Sequence, residues 1–323
     1  MGSIYQDPAE FPTIVGKKNW EISGRPLSPD IILGHSNTIY GTSESGKTTL
    51  VIYLMRLLAP IVGTVVIFCP SARGKNRDYD GIVPNAMIHT ELDKSFFIKI
   101  AHMQEARATQ YEHVENKENI KKLYSFVRSD RIDACIRNLE AMYRKAYRQK
   151  KKYSKDEKEF REEMKRLRQL ITTAKYSLYK KQIMFRSKDI PVKRLTQSER
   201  IALSFIDLNP HILVIFDDCT EDLKEICNSS DPESKEFYKF YTQGRWRNIT
   251  VLTISHDLGS FPKKLRANSH NSFFADSITA LSFVSGNNDI AKPERDWVTD
   301  VVPEIYGRPD LHEFNKLCYC KYS

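Results

Sequence analysis

The chain has 323 residues, with 50 Lys or Arg against 41 Asp or Glu and a formal net charge of +9. That length carries one large α/β core with an insertion, or two domains. Its six cysteines, at 69, 135, 219, 227, 318 and 320, have neither disulfide-framework nor metal-ligand spacing, which excludes a disulfide-stapled fold and makes a reducing compartment the expectation.

Residues 1–30 are rich in Pro and Gly, show little periodicity, and read as an irregular arm. Ile31-Ile32-Leu33 and then Asn37 to Tyr40 lead into Gly41-Thr42-Ser43-Glu44-Ser45-Gly46-Lys47-Thr48. This is G-x-x-x-x-G-K-[ST], a phosphate-binding loop. Its glycines let successive backbone N–H groups turn inward onto phosphate oxygens. Lys47 would reach the β- and γ-phosphates of ATP, and the Thr48 hydroxyl would ligate Mg²⁺. Thr49 to Leu58 reads as a largely buried helix whose N-terminus, starting at Lys47, Thr48 and Thr49, favours an anion. Glu44 places a carboxylate inside this loop, and the sequence offers no physical reason for it.

Val65 to Cys69 is a continuous apolar run ended by Pro70, the mark of a buried parallel strand. Strand, helix, strand in this order predicts a βαβ unit. Leu50 to Cys69 is the longest apolar stretch, but Arg56, Pro60 and Gly63 interrupt it, so no membrane span is expected. No signal peptide is visible, and Met1-Gly2-Ser3-Ile4-Tyr5-Gln6 lacks the Ser/Thr of a myristoylation site; a soluble, intracellular protein is expected.

Past a polar loop, Ser71 to Pro84, two helical stripes appear. One runs Ile132, Ile136, Leu139, Tyr143, Ala146, and the other Phe160, Met164, Leu167, Ile171, Ala174, Leu178. Their steps of four and three predict a helix pair, the second helix starting at a Ser154/Glu157 capping box. Residues 101–194 are therefore read as an inserted antiparallel helical hairpin, and 31–100 with 195–323 as the core. From Met142 to Arg194 there are 19 Lys/Arg and 6 Asp/Glu, leaving 50 − 19 = 31 basic and 41 − 6 = 35 acidic residues elsewhere. The positive excess thus belongs to the hairpin. A solvated helical face and a contact with nucleic acid or another acidic partner both stay open.

Ile212 to Phe216 is a second buried strand, ending in Asp217-Asp218. An acid pair at such a strand end suits Walker B chemistry, with Asp217 in the Mg²⁺ shell and Asp218 polarising the attacking water. Ile249 to Ile254 is a third strand, ending in Ser255-His256-Asp257. Ligands of parallel sheets sit at the carboxyl ends of strands, so His256 is the candidate to meet the γ-phosphate or the water. A short helix is expected over Phe261 to Asn268, with strands at Ser272 to Phe274, at Ala280 to Val284 and from Glu313 to Cys320. The fold class is α/β: a P-loop NTPase with a mainly parallel sheet flanked by helices.

These segments, taken in order, resemble the genome-packaging ATPases of large DNA viruses of eukaryotes, in the FtsK–HerA branch of P-loop motors. The resemblance rests on the phosphate loop; on Phe68-Cys69-Pro70-Ser71 with Asn76 and Tyr79; on Leu208 to Cys219; on Gln243-Gly244-Arg245-Trp246-Arg247-Asn248-Ile249-Thr250 running to His256-Asp257; and on Leu265-Arg266-Ala267-Asn268. Trp246 stands where the family often has His. The resemblance implies a homo-oligomeric ring, a pentamer or hexamer, that hydrolyses ATP with Mg²⁺ and drives double-stranded DNA into a preformed capsid at its vertex, in the host cytoplasm or with the virion. Ring motors of this kind complete each site with a neighbour's arginine, for which Arg245 and Arg266 are the candidates. Two other expectations compete. An ABC/SMC-like ATPase would use the order Thr196-Gln197-Ser198, Asp217-Asp218, His256, although its signature needs glycines that Thr196-Gln197-Ser198 lacks. A nucleotide-gated, non-catalytic assembly protein would have no need of Asp218.

Overall fold

The structure, a computed structural model, describes residues 14–15, 21–22, 27–73, 78–153, 156–287, 290–307 and 316–321. Within the N-terminal arm, β1 (Ile14–Val15) and β2 (Glu21–Ile22) pair antiparallel. One helical turn, α1 (Pro29–Ile32), precedes β3 (Ser36–Tyr40), and the phosphate loop then leads into α2 (Lys47–Leu58). Strands β4 (Thr64–Phe68) and β5 (Ile88–His89) follow. The helices α3 (Ser95–Glu115), α4 (Lys117–Phe126), α5 (Asp130–Tyr153), α6 (Glu157–Phe185) and α7 (Gln197–Ser204) come next. The chain continues through β6 (Ile212–Phe216), α8 (Thr220–Asn228), α9 (Pro232–Gln243), β7 (Ile249–Ser255), α10 (Lys263–Asn268), β8 (Asn271–Phe274), α11 (Ser277–Gly286), α12 (Lys292–Tyr306) and β9 (Leu317–Cys320).

Two compact units result: residues 1–105 with 210–323, and Ala106–Asn209. The first is a seven-stranded α/β sheet in the order β5-β4-β6-β7-β3-β8-β9. Its neighbours are parallel except for β8 and β9. Alternation along each strand feeds two cores. Ile212, Val214 and Phe216 of β6 join Tyr40 and the Phe237/Phe240 side of α9, while Leu213 and Ile215 join Ile39 and the Leu50, Val51, Leu54 and Leu58 stripe of α2. With both faces covered, a strand must be apolar at nearly every position. β7 lies between β3 and β6, so the phosphate loop and the acid pair flank the end of a third strand.

The second unit is helical. Val114, Ile120, Leu123, Val127, Ile183, Leu195, Ala202 and Ile206 form its core. α5 and α6 run antiparallel: Lys150 pairs with Glu163, and Lys175 Nζ lies 3.2 Å from Glu140.

Several expectations need correcting. Ala280 to Val284 belongs to α11, not to a strand, because Asp276 caps that helix by accepting from the Thr279 amide; a short apolar run alone does not separate the two. The core resumes at Pro210, not at residue 195, because Leu195, Ala202 and Ile206 pack into the helical core. Thr196 and Glu199 form a reciprocal capping box at the start of α7. That local role accounts for the Thr196-Gln197-Ser198 stretch on which the ABC/SMC comparison leaned. Ser154 and Asn76 lie outside the described residues; α6 starts at Glu157, capped by Asp156, which accepts from the Lys158 and Glu159 amides. Of the final strand, Leu317–Cys320 is seen and 313–315 lie outside the described residues.

Candidate functional site

The loop begins where β3 ends. Gly41 is required there: a Cβ would lie 2.4 Å from Ser45 Oγ and 2.6 Å from Ala275 Cβ. Two further residues turn the chain through the left-handed region, Glu44 (φ 61) and Gly46 (φ 84). Gly46 is the N-cap of α2 and offers no capping side chain. The first amides of α2, at Lys47, Thr48 and Thr49, therefore have neither an intrahelical partner nor a cap, and an anion fits there. Ser43 and Glu44 are exposed, which turns the Glu44 carboxylate to solvent.

Lys47 is 8% exposed and spends all three N–H groups inside the protein. Nζ donates to Gly41 O (2.8 Å) and Thr42 O (2.6 Å) and lies 3.3 Å from His256 Nδ1. Burial lowers its pKa, while Asp217, Asp276 and Asp218 pull it back up. With Lys47 donating to Nδ1, the imidazole proton sits on Nε2. That atom faces Asp218 Oδ1 at 3.8 Å, too long for a direct hydrogen bond.

The two successive acids that follow β6 face different groups. Asp217 continues the strand, its N–H bonded to Phe68 O, and its carboxylate accepts from Tyr79 OH at 2.7 Å. Burial pushes its pKa up, against the Tyr79 hydrogen bond. Asp218 turns into the left-handed region (φ 57), which brings its half-exposed carboxylate round to His256. A non-glycine residue there is strained, and such strain gathers at functional sites. Asp217 and Thr48 are the side chains that fit Mg²⁺. Among the described residues no group of three or more His, Cys, Asp or Glu could hold a metal by itself. Mg²⁺ commonly takes one or two protein ligands plus substrate phosphates, so this donor set suits it.

Three residues went unassigned in the sequence. Tyr79 holds Asp217. Asp276 caps α11 and also takes the Thr42 amide at 2.7 Å and its hydroxyl at 3.2 Å. Burial alone would raise the Asp276 pKa, but the hydrogen bonds from Thr279 and Thr42 hold it below its usual value. Lys316 Nζ donates to Ser45 O and Ala275 O.

The two arginines lie apart. Arg266 is half-buried and donates to Leu258 O at 2.9 Å within its own chain. Arg245 is exposed in the turn Gly244–Arg247, beside Trp246, which is 85% exposed. This turn precedes β7, at the sheet edge opposite the loop, since β3 and β7 are parallel and Tyr40 is in register with Ser255. Nearby, His35 and His270 stack with centroids 3.7 Å apart. Burial, His270 and Arg245 lower the His35 pKa to about 4.

A mainly parallel sheet in which an inner strand turns through a glycine-hinged loop into an uncapped helix is the P-loop NTPase fold. No protein-family model matches the chain. Over 284 residues it is 28% identical to an African swine fever virus protein described as "Uncharacterized protein B354L", from a Kenyan pig isolate, covering 82% of this chain and 74% of that one. The protein of a Namibian warthog isolate of the same virus matches to the same extent. Among solved structures, the monomer form of the pCW3 conjugation coupling protein TcpA with ATPγS aligns at a TM-score of 0.32 and 12% identity, over 84% of this chain. The chain spans 56% of that protein's length. No helix among the described residues is long and apolar enough to cross a membrane.

Proposed function

We propose that this protein is an ATP-hydrolysing motor that moves double-stranded DNA, working as a homo-oligomeric ring in packaging a viral genome. The observation that carries this is the line of side chains from the phosphate loop through Lys47 and His256 to Asp218, 3.8 Å beyond the His256 ring, which puts a carboxylate able to polarise water beside the phosphate end of the site. The viral relatives support a viral setting; assembly at a capsid vertex and a place in the host cytoplasm are part of the same proposal.

The loop amides and Lys47 bind the phosphates. Since all three Lys47 donors are engaged, an incoming γ-phosphate must displace one, and the 3.3 Å contact to His256 is the longest. His256 is then released and reports that ATP is present. Mg²⁺, held by Thr48 and Asp217, would neutralise charge on the β- and γ-oxygens. Tyr79 keeps Asp217 oriented for that role. Asp218 orients the water, and Arg245 or Arg266 of a neighbouring subunit stabilises the transition state. Arg245 is the freer of the two, because Arg266 already bonds Leu258 O.

Steady-state phosphate release, measured with and without linear double-stranded DNA and alongside particle mass, tests the proposal. Hydrolysis that rises with DNA, in a particle several subunits in mass, is expected. Nucleotide binding without any turnover would instead favour a nucleotide-gated assembly protein.

A further inference from the structure

Three carboxylates, Asp217, Asp218 and Asp276, act on Lys47 at the phosphate site. A bound triphosphate adds more negative charge, and Lys47 is the loop's own single cation. A second cation comes from far along the chain. Lys316, just ahead of β9, donates to Ser45 O at 2.9 Å and to Ala275 O at 2.7 Å. Its Nζ lies 3.6 Å from where a Cβ on Gly46 would sit. The ammonium is thus against the phosphate loop at its last glycine. It is half-buried, and burial disfavours its charge, opposed by Asp276. Desolvating an ammonium is costly, and two carbonyls answer only two of its three donors. The third has no partner among the described residues.

We propose that Lys316 is a second phosphate-binding lysine. It fixes the loop through the Ser45 carbonyl and gives its remaining N–H to an oxygen of the bound nucleoside triphosphate. Asp276 braces the other end of the loop at Thr42, so the segment after β8 and the start of β9 hold the loop between them. This rests on the ATP-binding proposal above and adds a residue to that site.

The test is binding of fluorescent ATP, ADP and AMP to full-length protein, with melting temperature recorded for each variant. Lys47→Ala serves as the loss-of-binding control. Lys316→Met keeps most of the stem and removes the charge; Lys316→Arg keeps the charge. Loss of a charged hydrogen bond predicts ATP binding weaker by about tenfold to a hundredfold in Lys316→Met, a smaller loss for AMP, and substantial recovery in Lys316→Arg. Wild-type affinity in Lys316→Met would overturn the proposal. An equal loss for all three nucleotides would also overturn it, reducing Lys316 to a loop brace. If Lys316→Met does not fold, acetylation of wild-type lysines read by mass spectrometry decides. ATP should protect Lys316 as it protects Lys47, and an unchanged rate at Lys316 counts against the proposal. Failure of the wild type to bind any nucleotide would instead sink the ATP-binding proposal itself, and this inference with it.

Discussion

Every residue of β6 and β7 is buried. Along α5 and α6, 24 and 29 residues long, Ile136, Met164 and Ile183 alone are buried among the described residues. The sheet is covered on both faces, so alternate side chains enter two cores and each position is constrained. A long helical hairpin needs one apolar stripe, and its other faces are free to vary. Charge has accumulated where packing demands least: of the 19 basic residues between Met142 and Arg194, 14 lie in α5 and α6, and none of those 14 is buried. Exposed ion pairs such as Lys150–Glu163 hold such a hairpin weakly, at about 0–1 kcal/mol each. One unit therefore spends its sequence on a fixed site, and the other is free to spend it on a partner.

The sharpest way to break this comparison is chemical. Lys47→Ala removes the ammonium that joins Gly41 O, Thr42 O and His256. Productive ATP binding should disappear, whereas Met164→Ala in the hairpin should leave binding and basal turnover unchanged. Isothermal titration with ATP checks both. If Met164→Ala loses nucleotide affinity, the site is not confined to the sheet unit. A smaller effect is expected on stability. Phe216→Ala, at 0% exposure in the centre of the sheet, should cost about 3–5 kcal/mol. Leu167→Ala, half-buried in the hairpin seam, should cost about 1 kcal/mol. Urea unfolding measures both, and equal costs would mean the seam is packed as tightly as the sheet.

The same contrast decides what was legible in the sequence. β4, β6 and β7 stood out because burial on both faces forces continuous apolar runs, and the phosphate loop and acid pair because their chemistry fixes residue type and spacing. The hairpin's stripes were visible for their period, but its boundary was not, since Leu195 to Ile206 look like core in either unit. Nothing local marked Lys316, and nothing local gave Tyr79 or Asp276 its role at the site. Their partners lie 138, 234 and 271 residues away, so only the folded sheet brings them to the site. Asp276 did carry a local signal, the spacing Asp276-x-x-Thr279 of a helix cap, which the apolar run after it concealed.

Acid provides a subtler probe of the sheet unit. Asp231 caps α9, and its pKa is lowered to about 2 by hydrogen bonds from Ser229 and Ser234. A depressed carboxylate pKa stabilises the fold above the unfolded value and loses that contribution as pH falls through the folded one. The stability gap between wild type and Asp231→Asn should therefore be constant above about pH 4 and shrink from there down to about pH 2. Denaturant melts across that range check it, and a gap independent of pH would show that the cap works through shape alone.

The smallest expected change in stability concerns strain. Glu44 and Asp218 are both non-glycine residues in the left-handed region, one in each half of the site. That conformation costs an ordinary residue about 1–2 kcal/mol, and glycine relieves it at an entropic cost of about 0.5–1 kcal/mol in the unfolded chain. Glu44 is exposed, so replacing it forfeits no packing. Glu44→Gly should then be neutral to about 1.5 kcal/mol stabilising by the difference of those two terms, and ATP should bind at least as well with one carboxylate fewer beside its phosphates. Asp218→Gly relieves the same strain but removes the carboxylate facing His256, so turnover should fall by about 10²-fold or more. Melting temperature and ATP turnover of the two variants separate strain that serves chemistry from strain that does not. If Glu44→Gly weakens ATP binding, the Glu44 carboxylate has a task in the loop, and the two strained residues belong to the same class.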